Sequence, residues 1–155
     1  MVLRTTVITG FPGETDAEFE SMLTALAELE FDNLGAFAYS TEDGTPAGAM
    51  EGQVPEAVRD ERRDRVMTQQ RRISLRRNRA RIGRVYDVLV DAVEAGGARG
   101  RWTGQAPEID GHVTIRRSPA SQISSGELVA VQVEGAGPYD LIARPESVVQ
   151  SEITV

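Results

Sequence analysis

Thr6-Val7-Ile8-Thr9-Gly10-Phe11-Pro12-Gly13-Glu14-Thr15 decides the fold, because its two halves obey different local rules. Thr5 to Thr9 is a β-branched run, and such side chains suit a pleated strand. Gly10 to Glu14 is a turn cluster that ends it. Thr15 with Glu18 three residues later then reads as a capping box, and Asp16 sits at the positive end of the helix dipole. A helix begins there.

Working outward, Phe19, Met22, Leu23, Leu26 and Phe31 recur at helical spacing, and Asp32-Asn33 supplies a stop. Leu34 to Tyr39 is apolar throughout rather than alternating, which suits a strand covered on both faces. Strand, helix and strand make a βαβ unit, whose crossover is right-handed in ~98% of cases. Two strands do not complete a parallel sheet, so the chain reads as starting partway through an α/β domain.

Glu42 to Gln53 is a glycine-rich loop. Pro55, suited to a first helical position, opens a polar helix reaching about Arg81, with only Val58, Val66, Ile73 and Ala80 as an apolar stripe. A helix of that length spans ~40 Å at ~1.5 Å per residue and can connect two units. From Ile82 the pattern changes to five short strands with turn signals: Val85 to Val93, Arg99 to Thr103, His112 to Arg116, Leu128 to Val133 and Tyr139 to Ala143. That spacing predicts a small antiparallel barrel of OB type. The expected division is 1–54 (α/β), 55–81 (connecting helix), 82–144 (barrel) and 145–155 (tail).

The 155 residues include no cysteine, which excludes disulfides, zinc-thiolate sites, iron–sulfur ligation and thiol nucleophiles from this chain. The single histidine, His112, excludes multi-histidine metal sites. No stretch approaches the ~20 apolar residues of a membrane span, and no signal peptide opens the chain, so a cytoplasmic protein is expected. The formal net charge of −7 hides an asymmetry: residues 1–58 carry −10, residues 59–85 carry +8 and residues 86–155 carry −5. All of the basic block is arginine.

The opening string resembles the late-barrel strand and loop of radical S-adenosylmethionine methylthiotransferases. Tyr39-Ser40 with Glu42 and Gly44-Thr45-Pro46-Ala47, then Gln53-Val54 and Glu61-Arg62-Arg63, follow in the order and spacing of those enzymes. Gly83 with Val88-Leu89-Val90 is similar to the entrance of the TRAM domain that ends them. Ala106-Pro107-Glu108-Ile109-Asp110-Gly111 and Tyr139-Asp140-Leu141 resemble the RimO branch, which methylthiolates an aspartate of small-subunit ribosomal protein twelve. The resemblance covers residues 3 to 144.

It implies the last βαβ part of a radical S-adenosylmethionine partial barrel, a long helix and a TRAM barrel. The family's cofactors are S-adenosylmethionine and iron–sulfur clusters, and the cysteines that hold the clusters would lie upstream, so this chain is expected to be a C-terminal portion without activity of its own. Ile8, Gly10, Phe11, Pro12, Tyr39 and Ser40 are the candidate cofactor contacts, at the carboxyl ends of barrel strands where such folds bind ligands. A tight turn accounts for Gly10 to Glu14 equally well, and a hydroxyl-stapled loop accounts for Tyr39, Ser40 and Thr45.

Arg101, Trp102, Glu108, Asp110 and Tyr139 are the candidate substrate contacts, since OB-type barrels bind along strand faces and loops. Trp102 and Tyr139 also suit a core. The acidic barrel favours a basic ribosomal protein over nucleic acid as partner. Arg71, Arg72, Arg76, Arg77, Arg79, Arg81 and Arg84 offer a phosphate-binding alternative, an RNA-binding module, set against a reading in which acids on the chain pair with them.

Overall fold

A computed structural model describes residues 2–117 and 123–146. The chain divides into two compact units at Arg76/Arg77. The first holds β1 (Arg4–Thr9), α1 (Asp16–Leu29), β2 (Asn33–Ala38) and most of α2 (Glu56–Arg79). β1 and β2 pair in parallel with Thr6 opposite Gly35 and Ile8 opposite Phe37, as a βαβ unit requires.

The capping box forms as expected. The Thr15 hydroxyl accepts from the Glu18 amide, and the Glu18 carboxylate accepts from the Thr15 amide. These bonds hold the Glu18 carboxyl below its ordinary 4.5, the backbone amide contributing most. The sign follows directly: a lowered folded-state pKa contributes stability above the unfolded value, and that stability is lost as pH falls through the folded value. Acid titration followed by α1 amide shifts therefore shows the first turn fraying below the usual carboxylate range. Thr15→Ala costs about 1 kcal/mol and removes only the hydroxyl's share of that pH dependence, because the amide of residue 15 still donates to Glu18. The helix ends earlier than Asp32-Asn33. Glu30 takes the left-handed conformation, φ 47°, and its amide donates to Leu26 O, a C-cap formed by a residue type that sequence rules do not favour there.

Phe19, Leu23 and Leu26 of α1 pack with Val66 of α2, and Val7, Leu34 and Ala36 pack on this cluster from one face of the sheet. The other face differs from expectation. β2 is not covered on both sides among the described residues: Ile8 is 55% and Phe37 63% exposed. Continuous hydrophobicity in β2 is thus shared between a packed face and an open one. α2 also ends at Arg79 rather than Arg81, the chain passing into turns in which Arg81 N donates to Asn78 O and Ile82 N to Arg79 O.

The second unit is a closed barrel in the order β3-β4-β5-β7-β6, made of β3 (Val85–Glu94), β4 (Gly97–Trp102), β5 (Val113–Arg116), β6 (Leu128–Ala136) and β7 (Leu141–Pro145). The expectation of a purely antiparallel barrel is corrected here. β5 and β7 pair in parallel, Val113 with Leu141 and Ile115 with Ala143, so the barrel is mixed. The reason is topological: five strands cannot alternate direction all the way round a closed ring, so one neighbouring pair must run the same way. The core is Val88, Val90, Ala98, Val113, Ile115, Val131, Val133, Leu141 and Ala143, drawn from inward positions of every strand. Pro145, expected in the tail, belongs to β7; residues 147–155 of that tail lie outside the described residues.

Candidate functional site

Two groups of candidate residues must be placed, one at the carboxyl ends of β1 and β2 and one on the barrel. In the first, Thr9 ends β1 fully buried, and its hydroxyl donates to Arg59 O at 3.0 Å. Gly10 follows with φ 71°, and a Cβ there would lie 2.4 Å from Arg59 Cγ. Both facts call for glycine, the first through the turn's backbone and the second through the close approach of α2. Phe11 meets the Tyr39 ring edge-on at 5.3 Å between centroids, and Pro12 is buried.

Glu14 turns back on this loop. Its carboxylate accepts from the Gly10 amide at 3.0 Å and from Arg62 Nη1 at 2.5 Å. Arg62 is buried under α1, stacks over the Phe19 ring at 5.3 Å and also reaches Asp16 at 2.6 Å and Glu14 O at 3.2 Å. Burial of its guanidinium works against the charge, but hydrogen bonds to Asp16 and Glu14 and their negative charge outweigh it and raise the pKa above the arginine norm.

Arg59 does the same for the loop after β2. Its Nε donates to Val54 O at 2.6 Å, Nη1 to Tyr39 O at 3.0 Å and Thr41 Oγ1 at 3.2 Å, and Nη2 to Gln53 Oε1 at 3.2 Å. The guanidinium also lies 5.1 Å from the Tyr39 ring centroid. Tyr39 is thereby fixed at ring and backbone, while its hydroxyl oxygen is buried without a hydrogen-bond partner among the described residues. Such an atom is costly to bury unless something bonds it. Thr45 shows the stapled arrangement instead: its hydroxyl donates to Glu42 O at 2.7 Å and accepts from the Gly48 amide at 3.0 Å.

Arg59 is not among the residues the sequence singles out, and Arg62 figures there only within the Glu61-Arg62-Arg63 motif, the candidate phosphate contacts being the arginines from 71 onward. Of those, Arg76 pairs with Glu30, and Arg81 bonds Asn78 Oδ1 and lies over Trp102 at 5.1 Å. Arg71, Arg72, Arg79 and Arg84 have no side-chain partner among the described residues.

On the barrel, alternation along β4 separates two neighbours. Arg101 points outward and pairs with Asp91. Trp102 packs toward the core, 5.0 Å from Tyr86, and Gly104 folds so close that a Cβ would meet the indole at 2.2 Å. Glu108 and Asp110 lie on the loop after β4 and Tyr139 on the loop before β7, and the two loops meet at one end of the barrel through Gly111 and His112. Asp110 accepts from Ala106 N at 2.6 Å, and Asp140 accepts from the His112 amide at 2.9 Å.

Among the described residues no group of three or more His, Asp or Glu is arranged to hold a metal ion, and no helix is long and apolar enough to cross a membrane. An iron–sulfur cluster does not fit the residues present, since it needs thiolates and the chain has none.

Comparison with known proteins agrees with the barrel and extends beyond it. A TRAM domain model matches residues 82–145. The ribosomal protein uS12 methylthiotransferase RimO of Xanthobacter autotrophicus is 46% identical over 142 residues, 91% of this chain and 31% of that protein. Its namesake in Desulforudis audaxviator is 45% identical over 144 residues, 93% of this chain and 32% of that protein. That of Synechococcus is 45% identical over 153 residues, 94% and 31%. The chain spans about a third of the length of these relatives. Across both units, with the TRAM domain match in the second, the chain is thus similar to about a third of the length of the RimO methylthiotransferases.

Proposed function

We propose that the chain forms the cofactor-side edge and the substrate-docking barrel of a cytoplasmic methylthiotransferase that modifies an aspartate of a small-subunit ribosomal protein. The observation that carries this is the identity of about 45% across more than nine-tenths of the chain to proteins named for that activity. Residues 1–54 are the end of a radical S-adenosylmethionine barrel, 55–81 its connecting helix and 82–144 the docking domain.

S-adenosylmethionine, when bound with a reducing cluster, supplies the radical chemistry. The residues of this chain bind and orient. Ile8 lies on the open sheet face, and Gly10, Phe11, Pro12, Tyr39 and Ser40 follow the carboxyl ends of β1 and β2, where α/β barrels hold ligands. The buried, unpartnered Tyr39 hydroxyl suits a polar ligand atom. Arg59 and Arg62 hold the two loops in place. Because the chain has no cysteine, it is inactive alone; turnover of S-adenosylmethionine by the purified chain would overturn that.

A second reading draws support from Arg71, Arg72, Arg79 and Arg84, whose guanidinium groups have no side-chain partner among the described residues. They suit phosphates, and TRAM domains bind RNA. Titrating the purified chain with the small-subunit ribosomal protein and with a structured RNA, at about 50 and 200 mM salt, separates the two. The docking reading expects saturable binding of the protein and only weak, salt-sensitive binding of RNA. Binding of RNA alone sinks it.

A further inference from the structure

Ile109 is 79% exposed and Tyr139 49% exposed, and they sit on two loops, 103–112 and 137–140, at the same end of the barrel. Single exposed apolar residues are ordinary. This pair is not ordinary, because the structure spends conformational energy to present it.

Glu108, the residue before Ile109, is held at φ 59°, a left-handed conformation that a residue with a side chain adopts only at a cost. The two loops are also locked together. Leu141 N donates to His112 O at 2.9 Å, Asp140 accepts from the His112 amide, and Gly111 approaches so closely that a Cβ would lie 2.1 Å from Tyr139 O. Asp110 turns inward to hold Ala106 N. A rigid, strained rim that exposes an isoleucine and a tyrosine loses little entropy on binding.

Charge identifies the partner. On the barrel wall the carboxylates of Asp91 and Glu134 are neutralised by Arg101 and by Arg144 and Arg116. On the rim, Glu108 has no partner among the described residues and Asp140 faces only a histidine. An apolar pair beside these two carboxylates suits a cationic segment carrying an apolar side chain.

We propose that this rim, centred on Ile109 and Tyr139 with Glu108 and Asp140 beside them, is where the barrel grips a basic segment of its protein partner. The inference rests on the docking function proposed above and narrows it to four residues. It excludes the β3–β4 hairpin at the opposite end, where Val93 is equally suited by exposure, at 55%, but is followed by the Glu94–Arg99 pair.

The test is isothermal titration of the whole chain and of three variants, Ile109→Ser, Glu108→Gln and Val93→Ser, with purified small-subunit ribosomal protein. Each altered side chain is exposed, so unchanged melting temperatures are expected. Ile109→Ser should weaken binding at least tenfold and Glu108→Gln several-fold with a shallower salt dependence, while Val93→Ser stays within twofold of the parent. Binding by the parent chain that survives Ile109→Ser unchanged, or that falls equally with Val93→Ser, overturns the rim assignment and leaves the docking function standing. No binding by the parent chain overturns both.

Discussion

Arg62→Ala lowers the stability of the N-terminal unit by about 3–5 kcal/mol, the range for breaking a buried pair from one side. Two carboxylates face Arg62, and they are not equal. The Asp16 side chain is 94% exposed and that of Glu14 15%, so water replaces the guanidinium readily at Asp16 and poorly at Glu14. The loss therefore concentrates on Glu14, which is left half-enclosed with the Gly10 amide as its remaining partner. Stability of a domain is commonly ~5–15 kcal/mol, so the effect is a large fraction of the whole. Urea unfolding followed by far-ultraviolet dichroism, which reports α1 and α2, should show the midpoint fall, while Trp102 fluorescence, which reports the barrel, moves little. Combining Arg62→Met with Glu14→Gln should recover part of the loss, since neither site then carries an unpaired charge. A single variant as stable as the parent would show that the pair contributes nothing.

The barrel has its own sensitive point in Gly97, the first residue of β4. Its φ of 149° lies in a region that L residues avoid, and a Cβ would stand 2.0 Å from Ile115 O and 2.9 Å from Arg117 N. Both contacts are backbone, so no flexible side chain can yield. Strain and overpacking together put Gly97→Ala at a cost of about 2–5 kcal/mol, with the β4–β5 pairing affected first. The Trp102 fluorescence transition is the measurement. Gly96→Ala, next to it and with open space around its Cβ position, should leave that transition nearly unchanged; equal effects would mean that crowding at Gly97 is relieved by a hinge in the β3–β4 turn.

Local chemistry was readable in the sequence wherever one short stretch carried the whole signal. Thr15 and Glu18 announce their cap because both partners lie within one turn, and β1, α1 and the five barrel strands are written in their own periodicities. Arg59 and Arg62 were hidden for a physical reason. Hydropathy treats arginine as solvent-facing, whereas Arg62 is buried and Arg59 half-buried, held by carbonyls and carboxylates as far as 20 and 48 residues away in the chain. The thin apolar stripe on α2 was a correct reading of Val66 and Ile73 but missed that polar side chains complete the packing, Gln70 bonding Phe31 O and Ser74. Pairing of β5 with β7 was equally invisible, because strand direction around a closed ring depends on the loops between, not on either strand alone. The sequence names Arg101, Trp102, Glu108, Asp110 and Tyr139 as one set of candidate contacts and does not divide them between β4 and two loops, and the conformation that precedes Ile109 is one backbone angle that no residue type announces.

The parallel seam between β5 and β7 also orders events in time. During synthesis β3, β4, β5 and β6 leave the ribosome before residues 141–145, and β5 and β6 cannot pair with each other in the finished ring because β7 lies between them. Until that last short strand emerges, two strand edges stay open, and open edges recruit other chains. Closure waits on five residues, Leu141 to Pro145, so a nascent chain stalled just before Leu141 would be a sticky, unsealed sheet, and release of those few residues converts it at once into a ring with no edge to offer.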